Sequence, residues 1–151
     1  MFSTVRYFIK TSLTFLFIGI LTGLSMSFSR HVMGEGIPPD LVSAHAHLIL
    51  AGSVMMMIMG VALWFFPRPA SDDTRYNPDL IRLVFWIMAV STALRFLAQG
   101  TVAFIELREL RWAIAGTSTF QVAAFGLFFY SMWGRIRAVG SATREAQGEK
   151  F

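Results

Sequence analysis

Long apolar runs alternate with short polar connections along this chain, and the length of the runs sets the first expectation. Four of them, at residues 7–28, 41–67, 80–104 and 112–133, are each long enough to cross a hydrocarbon layer as an α-helix. The connections hold the helix breakers and charges: Pro38 and Pro39 before the second run, Pro67 and Pro69 after it, and a charged stretch from Ser71 to Asn77 before the third. Residues 135–151 read as a polar tail that frays. The pattern predicts an all-α integral membrane protein, with residues 1–151 forming a single four-helix transmembrane domain. Gly19, Gly23 and Ser27 fall four apart on one face of the first run, a spacing of small residues that lets two membrane helices approach closely.

Composition agrees. The chain of 151 residues is 55% hydrophobic and only 15% charged, with a mean hydropathy of +0.58, too apolar for a soluble domain of this size. The absence of cysteine removes disulfides, iron–sulfur clusters, thiolate zinc sites and covalently attached haem, leaving imidazole, thioether and carboxylate as metal ligands. A net charge of +4 would suggest nucleic acid in a soluble protein. Here the basic residues lie between the apolar runs, where they act as topology signals, and no nucleic-acid partner is expected. Nine of the 13 basic residues flank the side that carries the termini and the middle loop, whereas only Arg30, Arg108 and Arg111 flank the other. The positive-inside rule then puts both termini in the cytoplasm, and a bacterial inner membrane is the expected location.

The second run carries His45 and His47, two of the three histidines, within an otherwise apolar helix. Helical residues advance by roughly 100° each, so the two imidazoles look about 200° apart and cannot share one small ion. Two separate partners are expected. His45 shares a helical stripe with Ile49, Gly52, Met56 and Gly60, where the glycines would leave room for a flat ring such as a haem; His47 shares one with Leu50, Val54 and Ile58. The plainer reading is a pair of polar residues near a helix start, satisfied by interfacial water or a neighbouring helix. Met55, Met56, Met57 and Met59 offer soft ligands for copper(I), but consecutive methionines point all round a helix, and packing accounts for them better. In the third run Ser91, Arg95 and Gln99 share a face. A guanidinium at the Arg95 depth needs an interior partner: a haem propionate, helix-end carbonyls or Glu106. Arg30, at the end of the first run, suits a propionate or lipid head groups, and His31 beside it suits water.

The stretches "LSMSFSRHVMGEGIPPDLVSAHAHL" and "IMGVALWFFP" together resemble the first two helices of haem-copper oxidase subunit I, over about the first half of the chain. In that resemblance His45 matches an axial ligand of the low-spin haem and Arg30 matches an arginine near that haem's edge. The "HAH" also resembles the H-x-H of a later oxidase helix whose two histidines serve two haems on opposite sides. The oxidase subunit is built from four-helix arcs about a pseudo-threefold axis, and this chain resembles one arc. What the resemblance implies is a membrane protein holding haem b. Identical arcs closing by rotation would form a homotrimer in which His45 of one chain and His47 of the next share an iron. Electron transfer, with a quinol or a cytochrome as redox partner, would follow. Two alternatives stay open: a five-coordinate haem that binds or reduces nitric oxide or another diatomic gas, and a haem-free assembly subunit of a respiratory complex. No other apolar run contains a histidine, so the cluster that holds the oxidase copper has no counterpart, which speaks against dioxygen reduction of that kind.

Overall fold

In the computed structural model, which describes residues 2–67, 73–136, 140, 147 and 148, every regular element is helical and four helices are long and apolar enough to cross a membrane. Helix α1 covers Phe2–Phe28 and continues into a π-helical turn, Ser29–Met33. The second span comprises helix α2 (Pro39–His47), a π-helical segment (Leu48–Met55) and helix α3 (Met56–Phe65). Helix α4 is Pro78–Val102; helix α5 is Arg108–Met132, closed by a 3₁₀ turn at Trp133–Arg135.

The helix starts follow from local chemistry. Pro39 and Pro78 each occupy the first turn, where a missing N–H is no loss, and Asn77 Oδ1 accepts from the Asp79 N–H at 2.8 Å to cap α4. Both helices therefore begin two residues before the apolar runs do. The first span ends at Gly34, whose φ of 73° turns the chain while its N–H bonds the Ser29 carbonyl.

The spans pack largely in sequence order: α1 lies along the second span, the second span along α4, and α4 along α5, with α1 not packed along α5. Up-and-down connections bring the N-terminal end of α1 and the C-terminal end of α5 to the same end of the bundle, the terminal end; the Ser29–Pro38 connection lies at the distal end. One apolar core runs through it. Phe8 meets Phe85 edge-on at 5.2 Å, while Met56, Met59, Met88 and Met132 are all buried among Leu48, Leu63 and Phe128. Gly60 is where α1 comes closest to α3, since a methyl group there would lie 2.9 Å from Phe8 Cβ and 3.1 Å from Ile9 Cγ1.

Arg135, expected to begin a frayed tail, is instead fully buried. Its Nε donates to the Pro67 carbonyl at 2.8 Å, and Nη2 donates to the Leu63 and Phe66 carbonyls, both at 3.1 Å. These are the orphan carbonyls at the C-terminal end of α3, where a cation also meets the negative end of the helix dipole. The guanidinium lies 5.0 Å from the centre of the Tyr76 ring, and Asp73 and Arg75, paired at 3.1 Å, fill the space that Gly134 leaves. Most of the expected tail beyond it, and the start of the middle loop, lie outside the described residues. Replacing Arg135 with Met should leave those carbonyls buried without donors and lower stability by about 3 kcal/mol. A thermal midpoint in detergent no lower than that of the exposed-site control Arg82→Met would show that the clamp holds nothing.

Candidate functional site

Three of the residues singled out in the sequence, His45, His47 and Arg95, lie in one layer near the distal end. His45 and His47 lie six and eight residues into the second span and Arg95 lies seven residues from the end of α4, so all three sit roughly 10 Å in from that end. Both histidines belong to the regular α-helical part of the second span, and they flank Ala46 on the partly open Val42–Ala46–Leu50 stripe. They occupy the two shoulders of that stripe, and both are half-buried.

The His45 shoulder faces α1. A methyl group at Gly23 would lie 3.0 Å from His45 Cε1 and 3.6 Å from Nε2, so the glycine is what lets the ring lie against that helix. His45 Nδ1 is buried and has no hydrogen-bond partner. The His47 shoulder faces α4: Ser43 and Gln99 are bonded across the antiparallel helices, His47 lies one turn on from Ser43, and Arg95 lies one turn back from Gln99.

Arg95 takes none of the partners expected for it within the protein. Its Nε donates to Gln99 Oε1 at 3.3 Å and its Nη1 to Gln121 Oε1 at 3.1 Å. The two amides are themselves fixed, because Gln99 Nε2 donates to Ser43 Oγ at 3.0 Å and Gln121 Nε2 to Thr92 Oγ1 at 2.9 Å. The result is a continuous chain, Ser43–Gln99–Arg95–Gln121–Thr92, that ties α2, α4 and α5 together. Glu106 has no part in it, and among the described residues no carboxylate pairs with Arg95. Ser91, on the expected stripe, turns instead to the Ile87 and Met88 carbonyls of its own helix. Ser43, Gln121 and Thr92 are the members that the sequence pattern left unlinked. Arg30 is exposed at the distal end on the π-turn, beside the exposed His31.

The expected open stripe below His45 is not there. A methyl group at Gly52 would lie 2.7 Å from Thr92 Cγ2 and 2.9 Å from Phe15 Cδ2, and Met56 is fully buried in the core. The cause is the π-helical segment that begins at Leu48. Each of its turns takes in about one residue more than an α-turn, so the residues after it fall out of register with His45. Gly52 serves close helix packing, not a ring-shaped gap. The wide cleft lies elsewhere, at the distal end between α1 and α2, with a volume of about 670 Å³ and walls that include Leu24, Phe28, Met33, Leu41 and Phe104. Leu41 is one turn from His45.

Among the described residues no three of histidine, cysteine, aspartate and glutamate gather to hold a bare metal ion. A haem makes a smaller demand, one or two axial nitrogens from the protein. The orphaned Nδ1 of His45, the half-buried His47 and the unneutralised Arg95 fit it in ligand chemistry, while the glycine stripe does not supply the space. No family model matches the chain, and no curated protein or solved structure matches it significantly.

The packing at Gly52 makes a clear contrast with Gly100, beside which a methyl group would meet nothing within 4 Å. Gly52→Val should destabilise the protein by about 2 kcal/mol through overpacking, whereas Gly100→Ala should be neutral or stabilise it by up to about 1 kcal/mol. Equal thermal midpoints for Gly52→Val and the parent protein would restore an open stripe beside His45.

Proposed function

We propose that the chain is a membrane b-type haem protein that works in electron transfer, with each haem held by His45 of one copy and His47 of the next. The observation that carries this reading is the pair of half-buried imidazoles on opposite shoulders of one exposed helical stripe, one of them with a buried ring nitrogen that nothing satisfies. A buried polar atom without a partner costs about 1–3 kcal/mol, which coordination would offset. Two imidazoles turned away from each other cannot meet one iron within a chain. They can do so across an interface, because a neighbour that covers the Val42–Ala46–Leu50 face brings its own shoulder against this one.

A heterologous contact of this kind closes into a ring when repeated about an axis. Three copies, each likened to one arc of haem-copper oxidase subunit I, give a homotrimer with three equivalent haems. Bound between two imidazoles, haem b supplies one-electron transfer at an iron that need not change its ligands. His45 and His47 would fix the ring, Arg95 and Arg30 would suit its propionates, and Gly52 and Met56 take no part. A quinol or a cytochrome would exchange electrons with it. In a bacterial inner membrane, the basic residues at the terminal end would keep both termini in the cytoplasm, with the histidine layer in the outer half.

Optical spectra of the purified protein test the reading. The reduced protein should show a low-spin spectrum unchanged by carbon monoxide, and its mass in detergent should be that of three chains. His45→Ala and His47→Ala should each lose the low-spin spectrum, and His31→Ala should keep it. A low-spin spectrum that survives His47→Ala, or full haem occupancy in a monomer, would overturn the shared site. The reading would then move to a one-histidine haem open to nitric oxide or another diatomic gas. Absence of haem from protein purified out of native membranes would leave the assembly-subunit alternative.

A further inference from the structure

Among the described residues, the charge on Arg95 has no counter-charge. The guanidinium sits in the apolar length of α4, and both acceptors on it are neutral side-chain amides. Those amides are not free to be replaced, since Ser43 and Thr92 hold them from behind. Arg95 Nη2 has no partner among the described residues, and the half-buried His47, one turn from the Ser43–Gln99 bond on the facing shoulder of α2, adds a second polar group with none there. A positive charge fixed inside a membrane, with donors left over and a rigid neutral frame around it, is matched by an anion that brings one negative charge and two acceptor oxygens.

We infer that Arg95 and His47 form a carboxylate-binding subsite at the α2–α4 seam, with Gln99 and Gln121 positioning the guanidinium. The planar fork of arginine matches the two oxygens of a carboxylate, and a single negative charge balances a single positive one. A phosphate dianion would overbalance it and lose more hydration on entry. A neutral imidazole at His47 can donate one further hydrogen bond to a free carboxylate; where His47 holds iron, Arg95 alone faces the propionate. The carboxylate has two sources with the same chemistry: a propionate of a haem, or a small free carboxylate. The first source rests on the haem reading above and the second does not.

The test uses the full chain in detergent, with two probes. Protohaem is compared with its dimethyl ester, which keeps the ring and the iron but lacks the carboxylates, and formate is titrated into haem-free protein while thermal unfolding is followed. With a propionate as the source, protohaem binds about tenfold to a hundredfold more tightly than the diester, and Arg95→Gln loses most of that preference, keeping only what Arg30 supplies. With a free carboxylate as the source, formate raises the unfolding midpoint of the parent protein and leaves that of Arg95→Gln in place, whether or not the protein takes up haem. Arg95→Lys keeps the charge but not the fork, and should show a reduced preference in whichever assay responds. Failure of both haem and diester to bind sinks the haem reading alone, because the formate titration still decides the subsite. A parent protein that neither prefers protohaem to the diester nor shifts with formate overturns the inference, and this comparison needs no variant to fold. An Arg95→Gln protein that folds and responds like the parent overturns it equally and leaves Arg95 as a tie between helices.

Discussion

The bundle depends on satisfying guanidinium groups where water is absent. Between apolar helices in a bilayer there is little hydrophobic gain, because lipid tails are as apolar as leucine, so association rests on close packing and on polar contacts that have no better partner. This chain ties its helices through one inward-turned arginine toward each end of the bundle, Arg135 and Arg95. Arg135 closes the terminal end by satisfying the last carbonyls of the second span from the end of α5. Arg95 joins α4 to α5 through Gln121 and, through Gln99, reaches Ser43 on α2. The two differ in one respect: Arg135 uses three backbone carbonyls, the Met132 sulfur and an aromatic face and leaves no gap, whereas Arg95 has only two side-chain amide acceptors.

Helix α1 is held differently. It contributes no side chain to either arginine site and instead lies close along the second span, with Gly19 against Ile49, Gly23 against His45, and Gly60 and Gly52 receiving Phe8 and Phe15 from the other side. Reciprocal glycines let the two backbones approach, so dispersion contacts replace hydrogen bonds as the source of stability. Ser27, the third small residue of the α1 stripe, stays exposed. The small residues thus serve packing within the chain, and one of them, Gly23, also sets how deeply the His45 imidazole can seat.

The spans were legible in the sequence because run length and proline placement act locally, and the opposed directions of His45 and His47 were legible because two residues within one regular helix obey a fixed rotation. What the sequence hid depended on geometry between elements or on a change of helical register. Arg135 looks like the start of a basic tail until the end of α3 is known to lie beside it. Gln121 reads as one polar residue among several in the fourth run, yet Thr117, Ser118 and Thr119 bond their own helix while Gln121 crosses to Arg95. Nothing in "LILAGSVM" announces a π-helix, and applying an α-helical period through it placed Gly52 and Met56 beneath His45 when they belong to the core.

That register change separates the second span into two parts with different work. Up to His47 the α-helix keeps Val42 and Ala46 on its open side and holds a histidine on either shoulder of it. From Leu48 the wider turns rotate the chain so that Leu48, Gly52, Ser53 and Met56 enter the packed interior. Had the α-helical period continued, Gly52 and Met56 would have stayed in line with His45. The π-segment allows the same span to expose a polar layer near the distal end and bury a tight apolar one below it, which is why the histidine layer and the glycine packing can coexist on one helix.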